Sequence, residues 1–324
     1  MRALYWDGRK LRFLPSFSAP DADSTALIKV HLAGICATDL QIFRGYMGFT
    51  GVPGHEFVGS VEAGPSEIIG RRVVGEINFG CGECAACRHD LARHCASRRV
   101  MGILDAHGAF AEYVSVPVKN LHIVPENVGD EEAVFVEPLA AAFEILTQVQ
   151  PQPQDEVLVL GDGKLGSLCA QVLHLAGAKV SAIGKHRDKL ALLDKVGVRT
   201  LLLENWQPDQ FDIVIEATGS SSGFELALSA VRPRGTLVLK STIAGKHEVS
   251  LAPVVINEIK VIGSRCGPFP PALAALAAKQ ISVTPLIEKI YNLAEGVLAV
   301  SHAGKPGARK NIIATVSFTV LQSC

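Results

Sequence analysis

Four cysteines fall in one short stretch of the chain, Cys81, Cys84, Cys87 and Cys95, with two, two and seven residues between successive members. Tetrahedral zinc takes four thiolates, and closely spaced thiolates on a turning loop supply them. With all four positions filled by protein, no place is left for a substrate, so such a metal holds a loop together. Unrelated free thiols or a redox pair are the plain alternative, and the overlapping Cys-x-x-Cys spacings argue against it. A zinc ribbon for nucleic acid is another. The formal net charge of −1 and the lack of a basic stripe argue against that, despite Arg88, Arg93, Arg98 and Arg99 nearby.

A second set of metal-binding side chains is dispersed. Cys36 lies in Gly34-Ile35-Cys36-Ala37-Thr38-Asp39, His55 and Glu56 follow Gly54, and Glu137 lies in Val136-Glu137-Pro138-Leu139. A thiolate, an imidazole and carboxylates suit a catalytic zinc that keeps one position open. Singly, a lone histidine or cysteine is more often a core residue. The weight comes from their order relative to the other motifs.

The third feature is a glycine-rich turn. Val157-Leu158-Val159-Leu160 runs into Gly161-Asp162-Gly163-Lys164-Leu165-Gly166. In a strand–turn–helix unit Gly161 permits the tight turn, Gly163 lets a pyrophosphate approach the backbone, and Gly166 lets the helix pack on the sheet. Lys164 and Leu165 open that helix, whose N-terminus favours phosphate charge. A dinucleotide site normally carries an Asp or Glu about 20 residues further on, to hold the ribose 2′-hydroxyl. Here the position is Gly184, followed by Lys185, His186 and Arg187. Loss of the acid and gain of three bases predict NADP(H) over NAD(H), with a solvated basic loop as the alternative.

These motifs need elements to hold them. Up to about residue 130 the pattern is short β-rich runs: residues 2–6 and 11–14 around an Asp7-Gly8 hairpin signal, then 27–32, 57–61 and 111–116. They predict an antiparallel, barrel-like domain. After Pro151 and Pro153 strands and helices alternate: strand 156–160, helix 165–176, strand 179–183, helix 188–195 stopped at Gly197, strand 211–217, helix 223–231 and strand 236–239. That alternation predicts a parallel, doubly wound sheet. Ala217-Thr218-Gly219 and Lys240-Ser241-Thr242 close successive strands, at the edge where such sheets bind ligands; plain strand-end turns are the alternative. A helix over 272–279 and a strand over 311–316 close the chain.

The bulk numbers fit two domains. The chain has 324 residues, 48% hydrophobic and 19% charged, enough to bury large cores. Near-neutral charge excludes a nucleic-acid footprint or a basic membrane face. No signal peptide or membrane span is legible, so the expectation is a cytoplasmic protein without nucleic-acid or membrane partners. Eight cysteines, among them Cys169, Cys266 and Cys324, then read as metal ligands plus buried thiols.

Together and in this order, the motifs resemble the zinc-containing medium-chain dehydrogenase/reductase family, which includes alcohol, sorbitol, threonine and glucose dehydrogenases. The resemblance rests on residues 34–39, 53–56, the cysteine cluster, Gly108-Ala109-Phe110-Ala111-Glu112-Tyr113, Glu137-Pro138-Leu139 and the glycine-rich turn, and covers nearly the whole chain. It implies a GroES-like β-barrel catalytic domain over residues 1–140 and 281–324, and a Rossmann NAD(P)-binding domain over 141–280. It implies that Cys36 and His55 ligate a catalytic zinc, with Glu56, Glu137 or water completing the shell. Asp39 would orient His55, and Thr38 would hydrogen-bond the substrate alcohol and start a proton relay. Ala217, Thr218, Lys240 and Ser241 would line the nicotinamide half of the cofactor. Glu137 stands where alcohol dehydrogenases have cysteine, which points to the polyol and sugar branch. Gln41 stands where many relatives have a relay histidine, and residues 64–72 form a shortened loop.

The expected function is hydride transfer between an alcohol or polyol, or its carbonyl product, and NADP(H). It would use two zinc ions per chain, one catalytic and one structural, in a homodimer or homotetramer. A non-catalytic, regulatory cofactor-binding protein of the same fold is the alternative. The intact set of Cys36, His55, Glu56 and Glu137 argues against it.

Overall fold

The computed structural model describes residues 1–21, 25–207, 209–242 and 248–316, so Cys324 and the end of the 281–324 segment lie outside the described residues. The chain forms two compact units, residues 1–137 with 286–324, and residues 138–285.

The first unit begins with the hairpin β1 (Ala3–Trp6) and β2 (Leu11–Leu14), paired antiparallel around Asp7-Gly8. Strand β3 (Ala26–Gly34) alternates buried and part-exposed residues, as a strand with one core face should. It leads into the short helix α1 (Ala37–Ile42). Strands β4 (Glu56–Ala63) and β5 (Arg72–Gly75) follow. Next come β6 (Asn78–Phe79), helix α2 (Ala85–Arg88), β7 (Arg99–Met101) and β8 (Asp105–Ala106), whose three strands make a small separate sheet carrying the cysteine loop. Strands β9 (Tyr113–Val116) and β10 (Leu121–Ile123) and helix α3 (Asp130–Ala133) complete this leg.

Helix α4 (Val136–Gln148) carries Glu137 and Pro138 in its first turn, where proline is tolerated because that N–H has no helical partner. The second unit then alternates strand and helix: β11 (Glu156–Leu160), α5 (Lys164–Leu175), β12 (Lys179–Gly184), α6 (Arg187–Asp194), β13 (Arg199–Leu202), β14 (Phe211–Glu216), α7 (Gly223–Ala230), β15 (Val231–Leu239), α8 (Ala252–Ile256), β16 (Lys260–Gly263) and α9 (Phe269–Ala277). All pairings in this sheet are parallel, in the order β13-β12-β11-β14-β15-β16. Strand order reverses between β11 and β14, and that switch point is where such sheets bind ligands. Val157, Leu158, Val159 and Leu160 are all buried, as a strand covered on both faces requires.

The chain then returns to the first unit as β17 (Ile287–Asn292), helix α10 (Gly296–Ala303) and β18 (Lys310–Ala314). Strand β18 pairs antiparallel with β3 and completes a seven-stranded sheet in the order β10-β5-β4-β3-β18-β17, with β9 also on β3. Among the described residues no helix is long and apolar enough to cross a membrane.

Candidate active site and metal centres

Cys36 occupies the N-cap of α1, two residues after the end of β3, and His55 directly precedes β4. One buried carboxylate ties them together. Asp39 Oδ2 accepts the backbone N–H of Cys36 at 2.8 Å, and Asp39 Oδ1 lies 3.3 Å from His55 Nδ1. Asp39 is fully buried and His55 3% exposed, so this pairing has no water to compete with it. With Nδ1 turned toward Asp39, the other ring nitrogen is left for a ligand, the arrangement that orients metal-binding histidines. Thr38 Oγ1 lies 3.7 Å from Cys36 Sγ.

The electrostatics follow from burial and neighbours. Burial pushes the Cys36 thiol up, but the hydrogen bond and charge of His55 more than offset it and bring it down to about 6. Burial lowers the His55 imidazole, yet Asp39 and Cys36 hold it well above its ordinary value. The polypeptide alone therefore favours a thiolate and an imidazolium, a pairing in which a proton sits where a cation would.

Glu56 begins β4, and its carboxylate is paired with the ammonium of Lys310 at the start of β18; both are buried. Gly34 packs against both. A Cβ there would lie 2.6 Å from Lys310 Cε and 2.7 Å from Glu56 Oε2, so only a bare backbone lets the pair form. The ammonium also lies 5.5 Å from the Phe135 ring centroid. Burial lowers the Lys310 amine to about 8, against the charges of Cys36 and Asp39. Sequence reasoning missed Lys310; its position at the opening of a strand was the one available signal.

Ligand atoms of Cys36, His55 and Glu56 all lie within 4.8 Å of one another; Glu137, in the first turn of α4, is not one of this group. The donors fit zinc in type. The charges fit as well. Once the imidazole is neutral, as a metal ligand must be, one thiolate and two carboxylates against one ammonium leave two negative charges, which a divalent cation would match.

The Cys81, Cys84, Cys87 and Cys95 sulfurs also lie within 4.8 Å of one another. Cys81 Sγ is 3.6 Å from Cys95 Sγ and 4.0 Å from Cys87 Sγ. A tetrahedral zinc with four thiolates sets sulfurs ~3.8 Å apart, so the cage already has the right size. Backbone N–H groups of Glu83 and Cys84 pull the Cys81 thiol down to about 6. The backbone N–H of Gly82 acts the same way on Cys87, but burial and the three neighbouring sulfurs push that thiol up to about 11.

In the second unit the glycine-rich turn lies between β11 and α5. Gly161 has φ +117°, and a Cβ there would meet the Ala217 carbonyl oxygen at 2.5 Å. Gly166 packs against the Gly161 carbonyl in the same way, while a Cβ on Gly163, the N-cap of α5, would meet open space. This is the cradle a pyrophosphate needs, with Lys164 and Leu165 in the first helical turn. Gly184 ends β12, Lys185 follows it, His186 caps α6 and Arg187 opens it.

The other two strand ends are locked from within. Buried Glu216, which sequence reasoning missed, accepts Thr218 N at 2.8 Å, Thr218 Oγ1 at 2.6 Å and Ser241 Oγ at 3.0 Å. Ser241 Oγ accepts Gly219 N at 2.8 Å. Ala217 itself closes over the glycine turn. The Lys240 ammonium turns inward to Ala141 O at 2.6 Å, Ser264 Oγ at 3.1 Å and Arg265 O at 3.4 Å. These residues follow the ends of β14 and β15, and Thr218, Lys240 and Ser241 are engaged in holding those strand ends in shape.

Comparison with known proteins agrees with this architecture. Residues 22–126 match the alcohol dehydrogenase GroES-like domain, and residues 165–279 match the zinc-binding dehydrogenase domain. The chain is 30% identical to D-arabitol-phosphate dehydrogenase of Enterococcus avium, over 86% of each chain. A solved alcohol dehydrogenase from Escherichia coli CFT073, complexed with NADH, superposes with a TM-score of 0.88 at 25% identity, over 97% of this chain and 99% of that one. A zinc-binding dehydrogenase structure from Sinorhizobium meliloti 1021, bound to NADP, gives 0.86 at 26% identity, over 97% and 98%. The GroES-like and zinc-binding dehydrogenase domain matches, with 30% identity to a relative over most of both chains, make this chain a member of the zinc-binding medium-chain alcohol dehydrogenase family.

Proposed function

We propose that the protein is a zinc-dependent dehydrogenase that interconverts an alcohol or polyol and its carbonyl product, with NADP(H) preferred over NAD(H). The observation that carries this is Asp39, whose single buried carboxylate accepts the Cys36 backbone N–H and faces the His55 ring. An accidental cluster has no reason to share such a clamp. The arabitol-phosphate relative supports a polyhydroxylated substrate.

Cys36 and His55 would hold the catalytic zinc, with Glu56 beside them in the electrostatic grip of Lys310. Bound there, zinc supplies Lewis acidity, making a hydroxyl acidic near neutral pH or polarising a carbonyl. Bound in the second unit, nicotinamide supplies the two-electron hydride acceptor or donor. The chain's own tasks are positional. Thr38 presents a hydroxyl beside the donor set, able to accept the substrate's hydroxyl proton in a hydrogen bond and pass its own outward. Asp39 keeps the imidazole in one tautomer. Gly161, Gly163 and Gly166 admit the pyrophosphate. Lys185, His186 and Arg187 supply the positive charge that favours a 2′-phosphate. Cys81, Cys84, Cys87 and Cys95 would hold the second, structural zinc.

The test is a panel of alcohols and polyols followed by nicotinamide absorbance with each cofactor. Turnover of a polyol, higher in kcat/KM with NADP+ than with NAD+, is expected. Zinc-replete protein that binds dinucleotide and turns over nothing on the panel would contradict the catalytic reading.

A further inference from the structure

The acid missing after β12 is supplied from elsewhere. Gly161 N donates to Ile183 O at 2.8 Å, which docks the glycine-rich turn against the end of β12. The next residue, Asp162, then swings its side chain over Gly184. Asp162 Oδ2 accepts Lys185 N and His186 N, each at 2.6 Å. His186 Nδ1 lies 3.0 Å from Oδ2 and 3.1 Å from Oδ1. A carboxylate only accepts, so the imidazole presents Nδ1–H to it. The Asp162 side chain is 10% exposed. A Cβ on Gly184 would collide with the Asp162 side chain. Gly184 and Asp162 are thus complementary: one carboxylate fits at this strand end, and it comes from the turn.

We infer that Asp162 is a specificity-determining residue for the nucleotide, its carboxylate standing at the ribose end of β12 and restraining the binding of 2′-phosphorylated dinucleotides. The inference deepens the cofactor reading above and rests on it. A carboxylate at this place opposes a 2′-phosphate by like charge and suits a 2′-hydroxyl. It also takes up two backbone N–H groups and the His186 ring N–H, three donors that a phosphate could otherwise use. The neighbouring Lys185, His186 and Arg187 pull the other way. The balance between them and Asp162 sets the choice.

The experiment measures dissociation constants of NADPH and NADH for the zinc-replete wild type, Asp162→Asn and Asp162→Ala, by quenching of nicotinamide fluorescence. Asp162→Asn keeps the side-chain shape and removes the charge; Asp162→Ala also releases the loop. Both variants are expected to shift the NADPH-to-NADH affinity ratio toward NADPH by about tenfold or more. If Asp162 only tethered the loop, both nucleotides would weaken together, and an unchanged ratio would overturn the inference. A wild type that prefers NADH, with the variants shifted toward NADPH, would sustain the role of Asp162 and defeat the NADP preference. A wild type that binds neither nucleotide would defeat both.

Discussion

Lys310 and Glu56, 254 residues apart in the chain, share a buried ion pair packed against the bare backbone of Gly34. The pair fastens β18, the last described strand, to the edge of the candidate zinc site. Truncating one partner strands the other's charge in the core, which costs on the order of 3–5 kcal/mol. Lys310→Met is therefore expected to lower the melting temperature sharply, and Lys310→Met with Glu56→Gln to recover much of the loss. Melting curves of both variants check this; equal melting of Lys310→Met and wild type would contradict it.

Gly34→Ala offers a test from the other side. Its methyl would press on both Lys310 Cε and Glu56 Oε2. Overpacking of this kind costs about 1–3 kcal/mol. Chemical denaturation should show that loss, and unchanged stability would mean that the pair can move aside.

A third prediction concerns acid stability. Burial raises the Asp130 carboxyl, but His31 at 2.7 Å and Arg72 at 2.8 Å outweigh it and hold it below its ordinary value. A depressed carboxylate contributes stability that is present above the unfolded-state value of about 3.9 and lost as pH falls through the folded one. Asp130→Asn should thus cost on the order of 1 kcal/mol at neutral pH. It should also flatten the fall in stability below about pH 4. An identical acid limb in both proteins would contradict the assignment.

The cysteine loop gives a fourth. Replacing Cys84 or Cys87 by Ser should remove one zinc per chain and loosen the loop from Cys81 to Cys95, because metal binding contributes directly to holding it. Metal analysis with proteolysis of the loop checks this. Unchanged zinc would remove the structural site.

The sequence carried the motif-bearing elements well, because their signals are local. The glycine-rich turn announces its own strand and helix, and the Cys-x-x-Cys spacing its own loop. Pairings across the chain were hidden. Lys310 reads as a polar residue before a strand, and only its burial against Glu56 and Phe135 reveals it. Asp162 is one of the unspecified positions of the glycine motif, so its reach to residue 184 shows only once β11 and β12 are side by side. Glu216 is hidden in the same way, at the end of a strand that also carries Asp212. Helix α4 was obscured by Pro138, which its first turn accommodates, and β16 by its brevity. The strand expected over 311–316 is β18, one residue earlier at its start and two shorter at its end.

The proposed catalytic zinc site rests on Cys36 and His55, positioned by Asp39. The most direct measurement determines zinc per chain, polyol turnover and NADPH affinity on the same preparations of wild type and His55→Ala. Two zinc ions are expected in the wild type, one in the variant, with loss of turnover and dinucleotide affinity kept within about threefold, since the metal serves the chemistry and the Rossmann unit the cofactor. A His55→Ala protein that retains both zinc ions, or that turns over substrate at the wild-type rate, would contradict it.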